Sequence, residues 1–161
     1  LLTTLTTWKP KRHRAEDAFQ QSFERHLVKS GYADPAITRH PRLLWTAEDR
    51  DPDSDDTRAV PDFSVKRVLV EIKRNITASS DSDRALGQMA RYCVAWRRQG
   101  PALLIVCNEF DPNLRMFVAR TVRGWKAQGV PVVAYFVRSD ASDTGSDDEF
   151  PAGTFKSEGR S

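Results

Sequence analysis

The chain has 161 residues, with 25 Lys and Arg against 22 Asp and Glu for a formal net charge of +3, and it is 39% hydrophobic and 29% charged. That balance excludes a disordered polyelectrolyte and describes one globular domain with a core of ordinary size. No apolar run approaches the roughly 18 residues a membrane span needs, and no signal peptide is expected.

In chain order, residues 1–12 read as an irregular lead-in that ends in the basic cluster Lys9, Lys11 and Arg12. From about residue 13 to residue 30 the pattern is helical. Phe19, Phe23 and Leu27 recur at intervals of four, Glu16, Gln20 and Glu24 form a polar stripe beside them, and Gly31 supplies a stop. Residues 36–46 are expected to form one strand, with Pro41 placing it near an edge or a bulge. The acidic stretch 47–57 reads as a solvated loop.

Residues 61–73 alternate with period 2 and suit two short strands joined at Lys66-Arg67, although tight hairpins favour Asn-Gly or Asp-Gly there. Residues 77–83 are polar and offer helix N-caps in Ser80, Asp81 and Ser82. A helix then runs to about Gln99 on an apolar stripe of Leu86, Met89, Ala90, Cys93 and Trp96, and Gly100-Pro101 ends it. Residues 102–107 form a near-continuous apolar run, as in a strand covered on both faces. A third helix is expected over 111–128, with Phe117, Val118, Val122 and Trp125 apolar, and a last buried strand over 130–137. The tail, 139–161, is acidic, rich in Asp, Ser and Gly, and reads as disordered.

The expected order is therefore α-β-β-β-α-β-α-β over residues 13–138, an α/β domain. Charge is segregated along it. Residues 60–139 hold thirteen Lys and Arg against six Asp and Glu, whereas residues 47–57 hold six acids and one Arg. A basic domain with acidic appendages favours a polyanionic partner. Cys93 and Cys107 fall in apolar stretches and suit core packing in a reducing, intracellular compartment, cytoplasm or nucleus, with export as a toxin domain left open. The four tryptophans and three histidines lack a catalytic pattern; Trp96 and Trp125 fit apolar helix faces.

Chemistry concentrates in the hairpin. If Lys66-Arg67 is the turn, residues whose numbers sum to 133 face each other, so Asp62 lies opposite Glu71, with Cβ atoms about 4.5–5.5 Å apart. Lys73, two residues beyond Glu71, falls on the same face. Asp62 and Glu71 can supply two carboxylate arms to a hard divalent cation, with the Ile72 carbonyl as a natural third oxygen and water completing the shell.

Pro61-Asp62, followed nine positions on by Glu71-Ile72-Lys73, resembles the signature of the PD-(D/E)XK nuclease superfamily. The element order resembles its restriction-endonuclease-like core, a mixed central sheet flanked by helices. The resemblance implies Mg²⁺- or Mn²⁺-dependent hydrolysis of phosphodiester bonds in a nucleic acid, DNA in the first instance, by an endonuclease or exonuclease; the oligomeric state is left open, a homodimer included. It makes Lys73 the group that orients or deprotonates water or stabilises the developing charge, and it adds an acid from the first helix, for which Glu16 fits better than Glu24. Gln88-Met89-Ala90-Arg91-Tyr92 is similar to the Gln-x-x-x-Tyr pattern of RecB-type nucleases, and puts Gln88 and Tyr92 on one helix face where they would order the site or touch the substrate backbone. The rival readings are a non-catalytic nucleic-acid-binding module and a protein-interaction module on the same fold.

Overall fold

The computed structural model describes residues 1–12, 15–44, 58–96 and 99–139. Its elements are α1 (Leu2–Thr6), α2 (Glu16–Lys29), β1 (Ile37–Arg39), β2 (Leu43–Leu44), β3 (Arg58–Ala59), β4 (Phe63–Val65), β5 (Val68–Ile76), α3 (Ser79–Trp96), β6 (Ala102–Phe110), α4 (Pro112–Ala127) and β7 (Val132–Val137). Five strands form one mixed sheet in the order β1-β4-β5-β6-β7. The β1–β4 and β4–β5 pairs are antiparallel, and β5–β6 and β6–β7 are parallel. The two parallel steps each need a crossover, which α3 and α4 provide.

Alternation along the strands divides the core into two layers. Val70, Ile72, Leu103, Ile105 and Cys107 meet Phe19, Phe23 and Leu27 of α2 on one face. Leu69, Leu104, Val106 and Val132 meet Leu86, Met89 and Cys93 of α3 and Val118 and Val122 of α4 on the other. Gly31 ends α2 as expected: its φ is +87°, and the Tyr32 and Gly31 N–H groups turn back to the Leu27 and Val28 carbonyls. No described helix is long and apolar enough to cross a membrane.

The hairpin has the expected register, Phe63↔Val70, Ser64↔Leu69 and Val65↔Val68. Lys66 takes φ +54°, a value a residue with a Cβ rarely adopts. The turn is held from outside itself. Arg67 Nε donates to the Gln99 carbonyl at 2.6 Å, and Trp96 Nε1 donates to the Arg67 carbonyl at 3.2 Å. Gly100 packs so closely that a Cβ there would lie 1.9 Å from the Arg67 carbonyl oxygen. The last residue of α3 and Gln99 and Gly100 beyond it thus clamp a turn whose own residues favour it poorly.

Several expectations need correction. The lead-in is not irregular throughout: Leu2–Thr6 is helical, and Leu5 and Trp8 are buried against the α2 face of the sheet. The single strand expected over 36–46 breaks at His40, where φ is +46°, just before Pro41. Its first half joins the main sheet as β1, and its second half, as β2, pairs with β3 in a separate two-stranded sheet. The second long helix starts at Ser79, before the expected caps, and Asp81 reaches back from its first turn to the Thr77 and Ala78 N–H groups. β6 continues to Phe110 because β5 continues beside it to Ile76. Phe117 on α4 is exposed rather than part of the apolar stripe. The acidic stretch 47–57, Trp45 and the tail from residue 140 lie outside the described residues.

Candidate active site

β5 outruns β4. Past Val70 its open edge carries backbone donors with no strand to accept them, and two carboxylates take them in succession. Asp62, in the bend before β4, accepts the Ile72 N–H through Oδ2 at 2.7 Å. Glu16, the first residue of α2, accepts the Arg74 N–H through Oε2 at 3.1 Å. A buried strand edge must find such partners, so the acids are fixed by the backbone of the strand that carries Glu71 and Lys73. In an extended strand a residue's N–H and C=O leave on the same edge, so the Ile72 carbonyl is directed to the side that holds Asp62.

Asp62 and Glu71 are 9% and 3% exposed. Lys73 Nζ donates to Glu71 Oε1 at 2.6 Å and stands 3.7 Å from Glu16 Oε1. Glu71 Oε2 is buried without a hydrogen-bond donor. Two acids in so dry a place are hard to ionise together. Burial and the charge of Glu71 push the Asp62 carboxyl up to about 7, against the pull of the Ile72 N–H and Lys73. Burial likewise raises Glu71, with Lys73 opposing it. Burial alone would lower the Lys73 ammonium, but Glu71, Glu16 and Asp62 outweigh it and raise its pKa, so it stays charged.

The other site residues named from sequence fall as follows. Tyr92 is buried, donates to the Val60 carbonyl at 3.2 Å, and also faces the Glu71 carboxylate; burial and that negative charge raise its phenol. Gln88, one turn earlier on the same helix, makes no hydrogen bond to this group, and its Oε1 is buried without a partner. Glu24 is turned away and binds the Arg39 guanidinium with both oxygens, which leaves Glu16 as the acid of α2 that reaches the cluster.

One member was not singled out from sequence. Gln20 Nε2 donates to Asp62 Oδ1 at 2.7 Å, so both oxygens of Asp62 are held. Its signal was present as the middle residue of the Glu16–Gln20–Glu24 stripe, but an amide between two acids on a helix reads as solvated surface. Among the described residues no three His, Cys, Asp or Glu side chains group closely enough to hold a metal ion by themselves. Both cysteines are free and buried.

Comparison with protein-family models, with curated proteins and with solved structures gives no match to this chain.

Proposed function

We propose that the chain is a metal-dependent nuclease that hydrolyses phosphodiester bonds of DNA on a restriction-endonuclease-like core. Supporting the fold reading, α2, β1, β4, β5, α3, β6, α4 and β7 follow one another in the α-β-β-β-α-β-α-β order, with a sheet antiparallel at one end and parallel at the other. The observation that carries the functional reading is the pairing of two buried acids, Asp62 and Glu71, with a charged lysine 2.6 Å from one of them and a buried carboxylate oxygen left without a donor. A surface ion pair has no need of that burial, and a buried carboxylate that no donor satisfies costs stability unless a cation or a proton meets it.

The donors fit a hard cation. Asp62, Glu71 and the Ile72 carbonyl offer oxygen only, and Mg²⁺ or Mn²⁺ tolerates few protein ligands because it keeps several waters. When bound, such an ion stabilises charge on the phosphoryl group and activates water for in-line attack. The protein's own groups prepare the ground. Gln20 and the Ile72 N–H fix the two oxygens of Asp62, and the Tyr92 phenol faces the Glu71 carboxylate. Lys73, kept cationic by three acids, supplies positive charge where negative charge develops on the phosphate. A raised pKa makes it a poor proton acceptor, so its role is electrostatic.

Incubating the protein with plasmid, single-stranded and branched DNA, with Mg²⁺ or Mn²⁺ and separately with chelator, tests the reading. Cleavage that needs the metal is the expected outcome; no cleavage of any substrate with either metal overturns it.

A further inference from the structure

Beyond β5, on β6 and β7 of the same sheet, two arginines share one aromatic pair. Phe110, the last residue of β6, packs edge-on against Phe136 of β7 with ring centroids 5.4 Å apart. Arg115, one turn into α4, holds its guanidinium carbon 5.7 Å from the Phe110 centroid and 5.5 Å from that of Phe136. Arg138, just past β7, holds its own 5.7 Å from Phe110. Among the described residues neither guanidinium has a carboxylate partner, whereas Arg12 and Arg39 each have one and Lys73 has two. Two described acids near Arg115 in sequence are engaged elsewhere: Asp111 caps α4 through Asn113 and Leu114, and Glu109 binds Arg12.

Gathering two positive charges on one ring without an anion costs energy, and the aromatic faces only partly offset it. What the rings do provide is orientation: a stacked guanidinium has little freedom left, and its N–H fork remains open for a phosphate. The pair also stands in register with the candidate site. Lys73 pairs with Val106 and Val106 with Phe136, so the three side chains share one row on one face, spanning about 10 Å over two strand spacings.

We propose that Arg115 and Arg138 form a clamp for a backbone phosphate flanking the one to be cut, a reading that rests on the nuclease assignment for the identity of its ligand. The clamp sets the register of the DNA across the carboxyl ends of β5, β6 and β7 and does not touch the reacting atoms.

The test is anisotropy of labelled duplex DNA with the full chain in chelator, titrated over a series of salt concentrations. Each phosphate contact contributes about −0.9 to the slope of log K against log salt. The Arg115→Gln/Arg138→Gln double variant is expected to lose about one such step. Arg138→Gln alone, at an exposed position outside any strand, is expected to weaken binding and make the slope shallower, and it carries the test if the double variant does not fold. Arg123→Gln, with the same charge change two turns further along α4, is expected to keep the wild-type slope. A folded double variant or Arg138→Gln with the wild-type slope overturns the clamp, as does an equal loss in Arg123→Gln. The two proposals fail separately: cleavage by wild type with an arginine-independent slope sinks the clamp alone, and arginine-dependent binding without cleavage under any metal sinks the nuclease reading alone. Wild type that binds no DNA sinks both.

Discussion

The side-chain amide of Gln20 donates to Asp62 Oδ1 at 2.7 Å, and so ties the middle of α2 to the bend that opens the hairpin. Its partner oxygen is already held by the Ile72 N–H. Groups that orient a carboxylate ligand in this way affect metal affinity by about 10–100-fold when removed. Gln20→Ala is therefore expected to weaken Mn²⁺ binding by about 10-fold in calorimetry, with little change in thermal stability because the residue is only half buried. Unchanged affinity would reduce the contact to a packing detail.

Asp62→Asn should abolish the rise in Tm that Mn²⁺ produces in the wild type. The metal-free variant should be no less stable than wild type, since it removes one of two charges that burial opposes. A variant that gains as much Tm from Mn²⁺ as the wild type would remove Asp62 from the metal site.

The metal-free protein should become less stable as pH rises from about 4 to about 7. The sign follows from Asp62, whose carboxyl sits at about 7 when folded against an ordinary value of 3.8. Across that window the unfolded chain has given up the proton and the folded chain has kept it, so each step up in pH favours unfolding, by at most about 1.4 kcal/mol per unit for one proton. The raised Glu71 acts in the same direction. Saturating Mn²⁺ should flatten the fall, because it binds the ionised pair only in the folded state. Urea unfolding in chelator and in Mn²⁺ measures both curves; stability that climbs through the window without metal would contradict the burial of the pair.

Tyr92→Phe keeps the ring in the α3 layer and removes the hydroxyl that faces Glu71 and Val60. Activity should fall while Tm barely moves. An enzyme as fast as wild type would leave Tyr92 as a core residue only.

Gly100→Ala puts a methyl 1.9 Å from the Arg67 carbonyl oxygen, a backbone atom that cannot step aside alone. The expected cost is about 1–3 kcal/mol of stability, with weaker Mn²⁺ binding as the displaced turn shifts Asp62 against Glu71. Urea midpoints and calorimetry on the same samples check the two effects; an unaltered pair of values would show that the turn does not set the register.

The hairpin was legible because alternation and a two-residue turn leave one register, and that register fixes which residues oppose each other. Glu16 is preferred over Glu24 through the resemblance of the opening helix, not through any geometry of the stripe itself. The rest escaped for physical reasons. α1 is too short, and too rich in Thr, to show a helical period. The break at His40 depends on a positive φ at a residue with no special propensity for it beyond its polar ring. β3 is two residues long. Past Asn108, where φ is +69°, Glu109 and Phe110 carry no strand pattern and are held in the sheet because they pair with Asn75 and Ile76. Lys66-Arg67 makes a workable turn only because Gln99, Trp96 and Gly100 close over it, contacts made across more than 25 residues of sequence.

The most direct test is the single-turnover rate of DNA cleavage by wild type and Lys73→Ala in Mg²⁺, with Mn²⁺ affinity measured on the same preparations. Lys73 touches Glu71 and approaches Glu16 but supplies no oxygen to a metal, so its loss should lower the rate by about 10²–10³ while metal binding survives. A Lys73→Ala protein that cuts at the wild-type rate would contradict the account, because the cation that contacts Glu71 would then have no part in the chemistry.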